Sequence, residues 1–253
     1  MDLGLTGQRC VVLGGSRGIG RAIALGLAAE GAAVAMCARD TEALGTVART
    51  LRDAGGTCHV ATCDVTDRTA LRTFLEGAHE ALGGLDVLVH NASALARGPD
   101  DDDWRASLEV DLMAGVHACD IVLPWMRGAR RGAILFVSSI SGLEASPMED
   151  YGYSSAKAAM LAYAKKLAVT QARHGIRVNA IAPGSVDFPG GVWDQVHQQQ
   201  PAFYNAVRNS IPWGRMGTPE EIADVAVFLV SDRARWVTGA CVPIDGGQHR
   251  RIA

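Results

Sequence analysis

The chain has 253 residues, of which 48% are apolar and 20% are charged, and its formal net charge is -3 at pH 7. This composition is typical of a globular protein, and the small charge gives no electrostatic reason to expect nucleic acid or an anionic membrane as a partner. No apolar run approaches the roughly 18 to 20 residues that span a bilayer, and no signal-peptide pattern opens the chain. We therefore predict a soluble, cytoplasmic protein.

Short β-branched apolar segments alternate with longer amphipathic ones along the whole chain. This alternation predicts βαβ units, and hence one α/β domain over residues 1–253 with a doubly wound parallel sheet and helices on both faces. The strands are expected near 9–13, 33–38, 57–62, 85–90, 132–137, 176–181 and 240–244. The exception is the irregular stretch 184–217, which carries several large aromatics, among them Trp193, Phe203, Tyr204 and Trp213, and is predicted to be a substrate lid. The alternative is a set of helices that pack those aromatics as core.

The cysteines and an acidic run raise the question of a metal site. Six cysteines are scattered without a CxxC pair and are interpreted as small buried hydrophobes. The run "DDDDW" at 100–104 is interpreted as the solvated start of a helix, where carboxylates are favoured by the helix dipole. We predict no metal.

The first strand leads into a glycine-rich turn, "VVLGGSRGIGRAIALGLAAEG". A strand, a tight turn and a helix in this order place free backbone N–H groups at a helix N-terminus, where a phosphate binds. The spacing of Gly14, Gly18 and Gly20 is GxxxGxG, and no lysine followed by Ser or Thr completes a P-loop. The turn therefore predicts a dinucleotide site, with a purely structural turn as the alternative.

The end of the second strand predicts which dinucleotide binds. A carboxylate there would hold the ribose 2′-hydroxyl of NAD, whereas an arginine accommodates the 2′-phosphate of NADP. Here the strand ends at Arg39, and Arg17 lies in the glycine turn. Asp40 is the rival, but it lies one or two positions late and suits an N-cap of the following helix. The two guanidinium groups predict NADP(H).

The stretch "YGYSSAKAAMLAYAKKLA" at 151–168 carries a tyrosine and a lysine four residues apart. Positions i and i+4 share a helix face, so Tyr153 and Lys157 project together, and the ammonium favours the phenolate over the phenol. This pair is suited to proton transfer; the alternative is a pair on a helix surface. Tyr151 lies on the wrong face.

The motifs together resemble the short-chain dehydrogenase/reductase family over essentially the whole length. They are "GGSRGIG", "CDVTD", "VSSISG", "YSSAK", "RVNAIAPG" and "TPEEIADVAVFLVSD...VTGACVPIDGG", in the family's order. The resemblance implies a Rossmann-like sheet and a catalytic set of Ser139, Tyr153, Lys157 and the residue at Asp111. Ser138 competes with Ser139, which is preferred because it lies three residues before Gly142. Cofactor contacts are predicted at Gly14, Ser16, Arg17, Gly18, Ile19, Gly20, Arg39, Asp64, Val65, Asn91, Tyr153, Lys157, Pro183, Gly184 and Val186.

Several positions depart from the family's pattern, among them Ser93, which with His90 alters the wall near the adenosine half. Leu13 replaces a threonine and is expected to pack against apolar residues, and His90 is interpreted as a core histidine. Phe188 replaces a threonine that follows the Pro-Gly turn. Asp111 stands where the family usually has asparagine, and its carboxylate would partly neutralise Lys157 and move oxidation to higher pH; the alternative is a salt bridge with no catalytic effect.

The resemblance implies an NADP(H)-dependent oxidoreductase that interconverts a carbonyl and a secondary alcohol, with a small-molecule substrate. A homotetramer, assembled through helices near 104–127 and 152–173, is common in the family. A 3-oxoacyl thioester reductase is the narrower hypothesis, and sugar alcohols and steroids stay open as substrates. A nucleotide-binding regulatory protein with little turnover is the alternative from a different class.

Overall fold

The computed structural model describes residues 2–252, and its centre is a seven-stranded parallel sheet with the strand order β3-β2-β1-β4-β5-β6-β7. The strands are β1 Arg9–Leu13, β2 Ala33–Ala38, β3 Cys58–Thr62, β4 Val87–His90, β5 Gly132–Val137, β6 Ile176–Pro183 and β7 Cys241–Ile244. Each strand lies within two residues of its predicted position. The doubly wound α/β fold predicted from the sequence is confirmed.

Helices cover both faces of the sheet and form two apolar layers. They are α1 Gly18–Ala29, α2 Thr41–Asp53, α3 Arg68–Leu82, α4 Asp101–Ala106, α5 Ala114–Ala129, α6 Tyr151–Gln171, α7 Val192–Gln199, α8 Pro201–Ser210 and α9 Pro219–Val230. Helices α3, α5 and α6 pack on one face, and α1, α2 and α9 pack on the other. Because both faces are covered, the strands are almost continuously apolar, and Leu13 is fully buried as predicted.

The predicted helix starts are present. Asp40 caps α2, and its carboxylate accepts a hydrogen bond from the Ala43 N–H at 3.0 Å. Asp100 caps α4 in the same way through the Asp103 N–H at 2.9 Å, so the acidic run is the first turn of a helix. All six cysteines are free thiols, and four of them are buried.

The segment 184–217 is not irregular throughout, as the sequence suggested, because it contains α7 and α8. Tyr204 packs with Ile211 and Met216 in a small separate cluster, whereas Trp213 is largely exposed. The alternative interpretation is therefore partly right: the segment contains helices, but only some of its aromatics form core. Its role as a lid stays a prediction.

The amino ends of the central strands are held by a buried carboxylate. Asp86, just before β4, lies 2.6 Å from the Arg9 Nε and 2.5 Å from the Arg131 guanidinium. Since the strands are parallel, this network secures one edge of the sheet and leaves the carboxyl edge open. Among the described residues, no helix is both long and apolar enough to cross a bilayer.

Candidate active site

A cavity of about 610 Å³ opens at the carboxyl edge of the sheet, where β1 and β4 lie side by side and the strand order reverses. This is the position where open α/β sheets bind ligands. The loops that follow six of the strands meet there. The predicted site residues in its wall are Gly14, Ser16, Arg17, Gly18, Ile19, Arg39, Asp64, Val65, Asn91, Ser139, Tyr153, Lys157, Pro183, Gly184 and Val186.

Two predicted site residues, Gly20 and Asp111, lie behind this wall. Gly20 is a packing glycine, because a Cβ there would stand 2.1 Å from the Gly14 carbonyl oxygen and 2.3 Å from the Asn91 side-chain nitrogen. Asn91 donates a hydrogen bond to that same carbonyl at 2.8 Å. The absence of a side chain at Gly20 thus lets α1 start directly against the end of β4.

The N-terminus of α1 faces the cavity without a cap. Arg17 occupies the N-cap position in an extended conformation, and its side chain makes no capping hydrogen bond. The first backbone N–H groups of the helix, at Gly18 and Ile19, therefore have no side-chain partner, and both residues line the cavity. Free N–H groups at a helix N-terminus fit a phosphate group, so these residues suit the pyrophosphate of a dinucleotide.

Residues at the end of β2 bear on the adenosine half of such a ligand. Arg39 and Asp40 both line the cavity, but one carboxylate oxygen of Asp40 is engaged in capping α2. Asp64, after β3, accepts hydrogen bonds from the Thr66 N–H at 3.0 Å and from its hydroxyl at 2.8 Å. Hydrogen bonds from Thr66 and, to a smaller extent, the nearby Arg39 charge lower the pKa of Asp64, so Arg39 and Asp64 are neighbours at this end.

The two serines after β5 have different environments. Ser138 donates its hydroxyl hydrogen to the backbone carbonyl of Lys157 at 3.0 Å, which ties the strand end to α6. The Ser139 Oγ accepts a hydrogen bond from the Ser141 N–H at 3.1 Å, so its own hydroxyl hydrogen stays available for the cavity. A Cβ at Gly142 would stand 2.8 Å from the Lys157 carbonyl carbon, and this close approach seats the serine turn on α6. The geometry favours Ser139 as the substrate contact.

Tyr153 and Lys157 lie together in the wall, and both side chains are buried. The Lys157 Nζ is 5.5 Å from the centre of the Tyr153 ring and donates a hydrogen bond to the Val137 carbonyl at 2.9 Å. Tyr151, by contrast, is 52% exposed. The spacing of four residues therefore produces the pair on one helix face that the sequence predicted.

Asp111 forms a buried ion pair with Lys157. Its Oδ1 lies 3.0 Å from the Lys157 Nζ, and its Oδ2 accepts a hydrogen bond from the Ala94 N–H at 3.1 Å. Asp111 lies on a π-helical turn, Ser107–Met113, between α4 and α5. Such a turn widens the helix and is frequent at functional sites. The carboxylate thus lies directly behind the ammonium.

His90 is a core histidine that also contacts this group. Burial, with the nearby Lys157 charge, lowers the pKa of His90 to about 4, so the ring is neutral at pH 7. Its Nε2 lies 3.0 Å from the Asp111 backbone carbonyl, which can only accept, so Nε2 carries the hydrogen. The Nδ1 has no partner. The Asp111 carbonyl is therefore already engaged by a protein donor.

Three further features of the cavity are relevant to ligand binding. The Phe188 ring rests on the glycine loop, and a Cβ at Gly18 would stand 2.4 Å from its Cζ. The turn at Gly184 packs closely on the C-terminal segment, with a Cβ there 2.7 Å from the Asp245 Cβ. Sequence reasoning missed Arg97, which lines the cavity with its Cζ 5.0 Å from the centre of the Tyr153 ring. No motif or spacing distinguishes this arginine in the sequence.

Known proteins resemble this chain over nearly its whole length. Residues 14–249 match the family profile described as Enoyl-(Acyl carrier protein) reductase. The chain is 40% identical to cis-4-hydroxycyclohexanecarboxylate dehydrogenase of Sinomonas cyclohexanicum, over 94% of each chain. It is 34% identical to 3-oxoacyl-(acyl-carrier-protein) reductase of Thermotoga maritima, over 96% of this chain and 98% of the relative.

A solved structure gives the same result. A 7 alpha-hydroxysteroid dehydrogenase, complexed with NADH and 7-oxo glycochenodeoxycholic acid, superimposes with a TM-score of 0.91 at 30% identity, over 97% of this chain and 96% of that one. The family profile, the relatives and the solved structure all identify the same family. The chain belongs to the short-chain dehydrogenase/reductase family and is an oxidoreductase that acts on alcohol or carbonyl groups with a nicotinamide cofactor.

Proposed function

We propose that this protein is an NADP(H)-dependent oxidoreductase that interconverts a carbonyl and a secondary alcohol, with Tyr153 as the general acid and base. The observation that carries the proposal is the buried Tyr153–Lys157 pair in the wall of a cavity at the switch point of the sheet. The bound nicotinamide supplies or accepts the hydride. The chain contributes placement and electrostatics.

Each of the three groups has one role in this proposal. The Ser139 hydroxyl, whose hydrogen is free, donates a hydrogen bond to the substrate oxygen and orients it. The Tyr153 hydroxyl gives its proton to that oxygen during reduction and takes it back during oxidation. The Lys157 ammonium stabilises the phenolate that is left, and it is held in place by the Val137 carbonyl and the Asp111 carboxylate. The segment 184–217 would close over the substrate.

The choice of NADP(H) rests on Arg17 and Arg39. Both line the cavity and neither is paired with a carboxylate within 4.0 Å among the described residues. A guanidinium binds the 2′-phosphate through charge-assisted hydrogen bonds, whereas NADH lacks that group. The 7 alpha-hydroxysteroid dehydrogenase structure is a complex with NADH, so family membership does not decide between NADP(H) and NAD(H).

Calorimetric titration with NADPH and NADH tests the cofactor. Removing one charge-assisted contact, in Arg39→Ala, should weaken NADPH binding by roughly 10- to 100-fold and leave NADH binding within about two-fold. Arg49→Ala is the matched control, because it removes an exposed arginine of α2 that hydrogen-bonds only to Thr46. Tighter binding of NADH than NADPH by the wild type would refute the preference.

Turnover is tested with a substrate panel followed at the absorbance of the reduced nicotinamide. By their names, the relatives act on ring alcohols, acyl thioesters and steroids. The panel therefore holds cyclohexanone, 4-oxocyclohexanecarboxylate, its carboxamide, a 3-oxoacyl thioester and an oxosteroid. Reduction of the thioester alone would select the narrower hypothesis. Tight cofactor binding without turnover of any member would instead favour a regulatory nucleotide-binding protein.

The assembly and the compartment are also proposals. A homotetramer would bury apolar side chains that the single chain leaves open on α6, where Val169 is 70% exposed. Static light scattering distinguishes four copies from one. The cytoplasmic location stays a prediction, which fractionation of the source cells would test.

A further inference from the structure

Arg97 is a cation in the cavity wall that has no anionic partner among residues 2–252. It lies in the loop between β4 and α4, and its Cζ is 5.0 Å from the centre of the Tyr153 ring. The Nε is buried and donates no hydrogen bond. Within the described residues, no carboxylate oxygen lies within 4.0 Å of its side-chain nitrogens. A buried donor left in this way is uncommon and indicates that a partner is absent.

Two other part-buried arginines have partners within the chain. Arg9 pairs with Asp86, and Arg177 donates to backbone carbonyls at the end of α9. Arg97 differs from these arginines because it faces a ligand cavity.

Contact with the tyrosine ring does not satisfy Arg97. A guanidinium stacks on an aromatic ring through its flat face, whereas its N–H donors point outward in its plane. Those donors form a rigid fork that matches the two oxygens of a carboxylate. The contact with the Tyr153 ring therefore uses none of these donors, which leaves the fork free for an anion beside the phenol.

We propose that Arg97 binds a carboxylate of the substrate, so that the protein acts on small oxo acids and hydroxy acids. The inference rests on the proposed function and specifies its substrate class. Because the guanidinium and the phenol ring are neighbours, the carboxylate and the carbonyl belong to one small molecule. The lining of the cavity also includes the apolar residues Ala94, Leu95 and Val110, which suit a short hydrocarbon ring or chain.

The test compares an acid with its neutral amide. Rates are measured for 4-oxocyclohexanecarboxylate and its carboxamide, and for a linear 4-oxo acid and its amide, with wild type, Arg97→Gln and Arg97→Lys. Loss of the charged contact in Arg97→Gln should lower kcat/KM for the acids by roughly 10- to 100-fold, mainly through KM, and by at least ten-fold more than for the amides. Arg97→Lys should fall between, since it keeps the charge but not the fork.

The control variant is Arg105→Gln, which removes an exposed arginine of α4 in the same region of the chain. It should keep the wild-type preference for acid over amide. Binding is measured separately by calorimetry, with cyclohexanecarboxylate and cyclohexanecarboxamide added to the enzyme saturated with NADPH. The acid should bind to wild type and lose at least ten-fold in affinity in Arg97→Gln.

The outcomes separate this inference from the proposed function. Equal losses on acid and amide would mean that Arg97 only positions Tyr153, and the inference would be overturned while the oxidoreductase stands. Weaker NADPH binding in Arg97→Gln, with no change in acid preference, would assign the guanidinium to a cofactor phosphate and also overturn it. If wild type reduced no carbonyl compound, the proposed function would fail, and acid binding that depends on Arg97 would still support the carboxylate site.

Discussion

Replacing Asp111 with asparagine should move alcohol oxidation to lower pH. The carboxylate lies 3.0 Å from the Lys157 ammonium, and that ammonium lies 5.5 Å from the centre of the Tyr153 ring. In the proposed mechanism, oxidation requires the phenolate. A negative charge nearby opposes the negative charge on the phenol oxygen, so its removal should move the pH–rate profile for oxidation to lower pH.

The two distances bound the size of the effect. The Asp111 carboxylate can be no farther than about 8.5 Å from the ring centre, because the ammonium is 3.0 Å from one and 5.5 Å from the other. At an effective dielectric constant of about 20, two unit charges at that separation interact by about 2 kcal/mol. This corresponds to roughly one to one and a half pH units.

The assay is kcat/KM for oxidation of a secondary alcohol from pH 6 to pH 10, for wild type and Asp111→Asn. The midpoint of the variant should lie about one to one and a half pH units lower. Glu109→Gln is the control, since it removes an exposed carboxylate from the same π-helical turn and should not move the midpoint. Thermal melting curves check that both proteins are folded. Superimposable pH–rate profiles for wild type and Asp111→Asn would then refute the reasoning and leave Asp111 as a structural ion partner.

Other predictions concern catalysis and stability. Tyr153→Phe should reduce carbonyl reduction by about 10²- to 10⁴-fold, while Tyr151→Phe, at a 52% exposed position, should keep the wild-type rate; equal rates for both variants would contradict the assignment. Gly20→Ala would place a Cβ 2.1 Å from a backbone oxygen and should lower the free energy of unfolding in urea by about 1 to 3 kcal/mol. A Cβ at Gly45, inside α2, would stand 3.9 Å from the nearest atom. Gly45→Ala should therefore raise the free energy of unfolding by about 0.5 to 1 kcal/mol. Burial raises the pKa of Asp86, but hydrogen bonds from two guanidinium groups outweigh it and hold that pKa below its usual value. The folded form therefore gains stability above the unfolded pKa of about 4 and loses it as the pH falls, so Asp86→Asn should be less stable than wild type at pH 7 by a margin that shrinks below about pH 4.

The sequence alone determined the architecture. Buried parallel strands must be apolar along their whole length, and the helices between them need caps and one apolar stripe. The residues of each segment therefore specify whether it forms a strand or a helix. The strand positions, the cap at Asp40 and the Tyr153–Lys157 face all follow from spacing over a few residues. The two helices in 184–217 were only the alternative interpretation, because glycines and prolines in that stretch masked their short periodicity.

Tertiary structure decided what the distant residues do. Asp111 and Lys157 are 46 positions apart and meet only because α6 packs on the π-helical turn, so no local pattern predicts their distance of 3.0 Å. The same packing engages His90 with the Asp111 carbonyl. Arg97 is one cation among 24 in the sequence, and its unpaired place beside the tyrosine emerges only when the loop after β4 folds over the cavity. Short-range spacing fixes elements and motifs, whereas the partners of a charge depend on which elements pack together.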